Sequence, residues 1–194
     1  MSKIAIFGSA FNPIGLHHQH MAEEVHDLLD MPVWMMPCFR HRFAKGDHLV
    51  DTSHRWNMAC EVCNEFDFMF PCDWEIIHMH DGAMSATMQG LSRVKRHDYH
   101  IIIGSDNAND IDKWYDWKTL IRTYPFIVFE RPGHPLHVEW PKQQPHIVIP
   151  FGECMSSSAI RDAIVEDDID FAKKHLHPKV WDYIVTGKLY GYKG

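Results

Sequence analysis

Short, nearly continuous apolar runs alternate along this chain with longer stretches whose apolar residues recur every three or four positions. Residues 4–7, 33–36, 100–103, 126–129 and 146–149 read as buried strands, and residues 68–70 as a weaker one. Between them, Met21, Val25, Leu28 and Leu29 fall on one helical face, as do Trp56, Ala59, Cys60 and Cys63 in the next segment. Unbroken apolar runs suit strands covered on both sides. Their alternation with helices therefore predicts an α/β fold: a single Rossmann-like open parallel sheet with helices on both faces. Turn signals stand at Asn12-Pro13, Asp81-Gly82 and Arg131-Pro132-Gly133. From about residue 156 to 194 the pattern is helical, with stripes at Ile160, Ala163 and Ile164, at Phe171 and Ala172, and at Val180, Tyr183 and Ile184. No linker, repeat or low-complexity tract interrupts this order, so residues 1–194 read as one domain.

Composition narrows the function. The 194 residues are 45% apolar, enough for a real core. A net charge of -7 argues against a broad basic face for nucleic acid, so any phosphate must be held by a few placed cations and backbone N–H groups. No apolar run has the length of a signal peptide or membrane span, and the five cysteines are an odd number in a chain that needs no staple. A cytoplasmic protein with reduced thiols is expected. The 16 histidines are scattered and form no metal-buffering tract.

Chemistry concentrates in two loops. The first, Gly8-Ser9-Ala10-Phe11-Asn12-Pro13-Ile14-Gly15-Leu16-His17-His18, joins the first strand to the first helix, where an open parallel sheet binds its ligands. A glycine there lets backbone approach an anion, and the helix behind offers free N–H groups. A histidine in the first turn can supply a cationic donor to an α-phosphate where the phosphate holds it protonated. The loop is neither a P-loop nor a GxGxxG fingerprint, and by spacing alone an ordinary strand–helix connection fits it as well. The second, Met155-Ser156-Ser157-Ser158-Ala159-Ile160-Arg161, follows the strand at 146–149. Its serines are N-cap candidates, and Arg161 one turn inside carries a planar fork suited to phosphate. Alone, it reads equally as a plain helix cap with a solvated arginine.

With both loops in view, the chain resembles the bacterial nicotinate/nicotinamide mononucleotide adenylyltransferase family. The likeness rests on Ile6-Phe7-Gly8-Ser9-Ala10-Phe11-Asn12-Pro13, on Gly104-Ser105-Asp106 and on Trp114-Tyr115-Asp116-Trp117. Further along it rests on Arg131-Pro132-Gly133, on Ser156 to Arg161, and on the closing Val180-x-x-Tyr183-Ile184 with Leu189-Tyr190. What it implies is adenylyl transfer from ATP to a pyridine mononucleotide, forming a dinucleotide and pyrophosphate, with Mg2+ carried on the ATP. His18 would contact the α-phosphate. Backbone at Gly8, Ser9 and Phe11 would line the shared floor of both nucleotide sites. Asp106, after Gly104, would bond the ATP ribose, and Ser157, Ser158 and Arg161 the triphosphate. Trp114 would stack on the pyridine ring, with the Tyr115 N–H facing its substituent and Thr87 in the pyridine pocket. His41 and Lys45 would add cationic contacts. The chain departs from the family pattern at Gly15, where His, Thr or Ser is usual, at His17 in place of glycine, and at Ala86 in place of tyrosine. Losing the side chain at position 15 removes one phosphate donor, which His17, His20 or a water would have to replace.

Other functions stay open on the sequence alone. The same loops serve nucleotidyltransferases acting on pantetheine phosphate or an alcohol phosphate, and Gly15 leaves room for a nucleotide binder without activity. Crowded His17, His18 and His20, with Cys60-x-x-Cys63, suggest a metal-binding protein, but no second such cysteine pair completes a zinc site.

Overall fold

In the computed structural model, which describes residues 2–40, 49–137, 146–153 and 155–194, the expected strands all form. They are β1 (Lys3–Ser9), β2 (Val33–Pro37), β3 (Met69–Pro71), β4 (Asp98–Gly104), β5 (Phe126–Glu130) and β6 (His146–Pro150). All pair in parallel, in the order β3-β2-β1-β4-β5-β6. This is the doubly wound arrangement, in which the chain reverses its direction of travel between β1 and β4 and leaves a crevice beyond their carboxyl ends.

Period-two alternation sorts the strand residues onto two faces. Ala5, Phe7, Val33, Met35, Ile102, Ile127 and Phe129 enter one core, and Ile4, Ile6, Met36, Ile101, Ile103, Phe126 and Val128 the other. The first core is covered by α1 (Leu16–Leu29), α2 (Thr52–Cys63) and the C-terminal helices α7 (Ser157–Val165), α8 (Ile169–Lys174) and α9 (Pro178–Gly187). The second is covered by α4 (Met84–Val94), α5 (Ser105–Asn109) and α6 (Trp117–Thr123), with the short α3 (Trp74–Ile77) beside it. No helix among the described residues is long and apolar enough to cross a membrane.

Two helical faces differ from the sequence pattern. Leu28, in the last turn of α1, is left 60% exposed, so the buried stripe is His17, His18, Met21, Ala22 and Val25. In α2 the buried set is Arg55, Met58, Ala59, Val62 and Cys63, with Trp56 and Cys60 only half-buried. Arg55 accounts for the rotation. Its guanidinium, 1% exposed, donates to the carbonyls of Ala10 (2.8 Å), Cys38 (2.7 Å), Phe39 (3.3 Å) and Val50 (3.2 Å), and to Thr52 Oγ1 (3.0 Å). A buried cation needs every donor satisfied, and these carbonyls satisfy it. Arg55 thereby fixes the loops leaving β1 and β2.

Candidate active site

The crevice at the switch point is lined by the ends of β1 and β4, by the first turn of α1, and by residues before α4 and after α5. Gly8, Ser9, His18, Gly104, Asp106, Trp114 and Tyr115, all named from the sequence, face it together.

His18 is the third residue of α1, and its position is built locally. The N–H of Gly15, the N-cap residue, donates to His18 Nδ1 at 3.1 Å. With Nδ1 accepting, the ring proton sits on Nε2, which leaves Nε2–H as the donor for a ligand. Phe7 and Phe11 hold the ring from the side, at centroid distances of 5.7 and 5.0 Å. Burial, reinforced by His17 and Arg131, pushes the His18 pKa well below its ordinary value. Its own surroundings therefore favour the neutral ring, with Nε2–H as the donor. A neutral ring still polarises a phosphate oxygen, while the cationic part falls to arginines.

Asp106 stands at the start of α5 because Gly104 makes room for it. A Cβ at Gly104 would lie 2.4 Å from Asp106 Oδ1. Among the described residues Oδ1 is buried without a hydrogen-bond partner, and Oδ2 lies 3.7 Å from Arg131 Nη1. An orphaned carboxylate oxygen in a cleft suits the hydroxyls of a sugar.

The second loop meets the first. Ser156 caps α7 by accepting the N–H of Ala159 at 3.2 Å. The Ser157 hydroxyl donates to the Pro13 carbonyl, and Arg161 Nη1 donates to the Asn12 carbonyl at 2.8 Å and Nη2 to Ser158 Oγ at 3.1 Å. Two helix N-terminal loops far apart in the chain are thus tied together, and the crevice-lining Arg131 links to the second through the Met155 carbonyl. Ser157, Ser158 and Arg161 are not among the residues that line the crevice, and neither are Asn12 and Pro13, to which Ser157 and Arg161 bond.

Other expectations change. Phe11 does not face the crevice; its fully buried ring lies beneath the loop against Phe7 and His18. Thr87 is buried one layer back, where its hydroxyl donates to Glu75 Oε1 at 2.8 Å. It is Glu75 that lines the cleft, with Oε2 buried and unpartnered among the described residues and its pKa raised by burial. His41 and Lys45 lie outside the described residues. Their neighbour Arg40 lines the crevice instead.

Sequence reasoning passed over Arg40, Glu75 and Arg131. Arg131 belongs by sequence to the Arg131-Pro132-Gly133 turn and motif, yet it lines the crevice, pairs with Asp106, and donates through Nη2 to the carbonyl of Met155, the first residue of the second loop. Its place directly after β5, at the carboxyl edge of the sheet, was the available signal. Burial raises the pKa of both thiols of the cysteine pair, Cys63 to about 12, and among the described residues no group of three or more His, Cys, Asp or Glu is arranged to hold a metal.

Comparison with known proteins agrees with this geometry. A curated protein of Bacteroides thetaiotaomicron named "Probable nicotinate-nucleotide adenylyltransferase" is 28% identical over 185 residues, spanning 94% of this chain and 90% of its own. Two solved structures of Plasmodium falciparum nicotinic acid mononucleotide adenylyltransferase, one complexed with NaAD and one with APC, share the fold at a TM-score of 0.84. They are 22% and 24% identical and cover 100% of this chain and 99% of theirs. The resemblance read from the motifs is borne out. Since residues 6–163 match the cytidylyltransferase-like family model, the chain belongs to the cytidylyltransferase-like family.

Proposed function

We propose that this protein transfers the adenylyl group of ATP to nicotinate mononucleotide, releasing pyrophosphate and forming the dinucleotide. The observation that carries the reading is the joining of two helix N-terminal loops, through Ser157 with Pro13 and Arg161 with Asn12, next to a crevice lined by Gly8, His18 and Arg131. A triphosphate needs more than one cradle of N–H groups and cations, and this junction provides two. The name of the Bacteroides relative supports the choice of acceptor.

In this mechanism a phosphate oxygen of the mononucleotide attacks the α-phosphorus of ATP in line. The bond from the α-phosphorus to the bridging oxygen breaks, and pyrophosphate leaves with that electron pair. The nucleophile is already an anion, so no general base is required; catalysis is positioning and charge stabilisation. His18 Nε2–H donates to the α-phosphate. Arg161, Ser157 and Ser158 hold the β and γ phosphates, with Arg131 and Arg40 as further cations. Asp106 accepts from the ribose. Trp114 and the Tyr115 backbone receive the pyridine, and Glu75, braced by Thr87, borders the crevice. Mg2+ enters as the companion of ATP; among the described residues no group of three or more His, Cys, Asp or Glu is arranged to hold a metal. A cytoplasmic location goes with this reading, because free thiols stay reduced there.

The test is incubation of the purified protein with ATP or CTP and a panel of acceptors: nicotinate mononucleotide, nicotinamide mononucleotide and pantetheine phosphate. The expected result is pyrophosphate release with ATP, and the highest kcat/KM for nicotinate mononucleotide. A preference for CTP or for pantetheine phosphate would replace the reading. ATP binding without pyrophosphate release would make the protein a nucleotide binder.

A further inference from the structure

We infer that His17 is a second phosphate-binding imidazole of this site, placed where the absent side chain of position 15 leaves space. The inference rests on the proposed adenylyl transfer and assigns a residue to it. A Cβ built on Gly15 would lie 2.8 Å from both Cε1 and Nδ1 of His17 and 2.9 Å from Ile160 Cδ1. The His17 ring and a side chain at position 15 therefore compete for one volume at the start of α1, and glycine at 15 is what admits the ring.

The ring is not spent on the fold. His17 is 6% exposed and lines the crevice; its Nδ1, on the ring edge turned to Gly15, is buried with no hydrogen-bond partner among the described residues. Gly15 closes the Nδ1 edge of the ring, so the nitrogen assigned to phosphate is Nε2. Packing alone would be served as well by a carbocyclic ring. Its centroid lies 3.9 Å from that of His18, the donor proposed for the α-phosphate, so two imidazoles sit side by side. Burial, with Arg131, His20 and His175 nearby, lowers the His17 pKa to about 3, so the ring meets phosphate as a neutral N–H donor. The other nearby histidines are committed elsewhere: His20 Nδ1 pairs with Glu153, and His175 Nδ1 with the Phe171 carbonyl.

Four variants test this: His17→Phe, His17→Gly, Gly15→His, and the exchange Gly15→His/His17→Gly. Each is measured for thermal unfolding, for Kd with a non-hydrolysable ATP analogue, and for kcat/KM with ATP and nicotinate mononucleotide. His17→Phe should keep its melting temperature and bind the analogue about tenfold more weakly. Its kcat/KM should fall by about 100-fold, the usual cost of one donor to a developing charge. Gly15→His alone should be impaired by the clash, and the exchange should return kcat/KM to within about tenfold of wild type. A folded His17→Phe protein with wild-type affinity and turnover would overturn the inference, as would an exchange no better than His17→Gly. Analogue affinity is read without turnover. A wild-type protein that binds ATP but makes no dinucleotide would therefore sink the transfer reading, while the affinity of His17→Phe would still decide the role of His17.

Discussion

The hydroxyl of Ser157 donates to the carbonyl of Pro13 at 2.9 Å, tying together two loops that stand 144 residues apart in the chain. Arg161 adds a second tie to the neighbouring carbonyl of Asn12. The junction beside the crevice is thus made by contacts that no local segment forms alone.

Arg161→Ala removes both a tie between the loops and a cation. We expect kcat/KM for ATP to fall about 100-fold or more. Arg161→Lys should recover only part of this, since one ammonium does not reproduce a fork that bonds Asn12 and Ser158 together. Steady-state kinetics on both variants check it; full recovery by lysine would reduce the role to charge alone.

His18→Ala should lower kcat by about 100- to 1000-fold while leaving ATP binding within a few-fold of wild type. The N–H of Gly15 then loses its acceptor, so the melting temperature should drop slightly as well. Near-normal turnover would remove His18 from the reaction.

Trp114 packs partly against the second core and also faces the crevice. Trp114→Ala should raise the KM for the pyridine mononucleotide well above any change for ATP, because only the former ring is proposed to stack there. Equal effects on the two substrates would assign Trp114 to packing.

Acid should destabilise the protein through the paired histidines. The His17 ring titrates at 6.5 in its ordinary state and at about 3 in the fold. The unfolded chain therefore takes up the proton first. Stability is complete above pH 6.5 and declines as the pH falls from there toward 3. By pH 5 the loss from this ring alone is about 2 kcal/mol. Urea unfolding at pH 7 and pH 5 should show it, and His17→Phe should show a smaller difference; identical differences would contradict the assignment.

Much of this was legible in the sequence, for a physical reason. Strands buried on both faces write themselves as unbroken apolar runs, so β1, β2, β4 and β5 stand out, and even the three-residue β3 falls within one residue of its expected place. Gly104 and Asp106 were legible through the family resemblance alone, and the structure supplies the physical reason: a side chain at 104 would collide with Asp106. What stayed hidden were residues whose role depends on distant partners. Nothing in the sequence pattern singles out Arg55, whose place is set by the distant carbonyls of Ala10 and Cys38 that close around it. Glu75 and Thr87 are 12 residues apart, and which of them faces the crevice is decided by packing that no pattern encodes. The neutrality of His18 is likewise a property of its burial, which spacing does not report.

The most direct measurement is a crystal structure of the protein with a non-hydrolysable ATP analogue. The account predicts the triphosphate lying between the two loops, with His18 Nε2 within hydrogen-bond distance of an α-phosphate oxygen and Arg161 and Ser157 on the β and γ groups. A nucleotide whose phosphates touch only one of the loops, or lie away from His18, would contradict it.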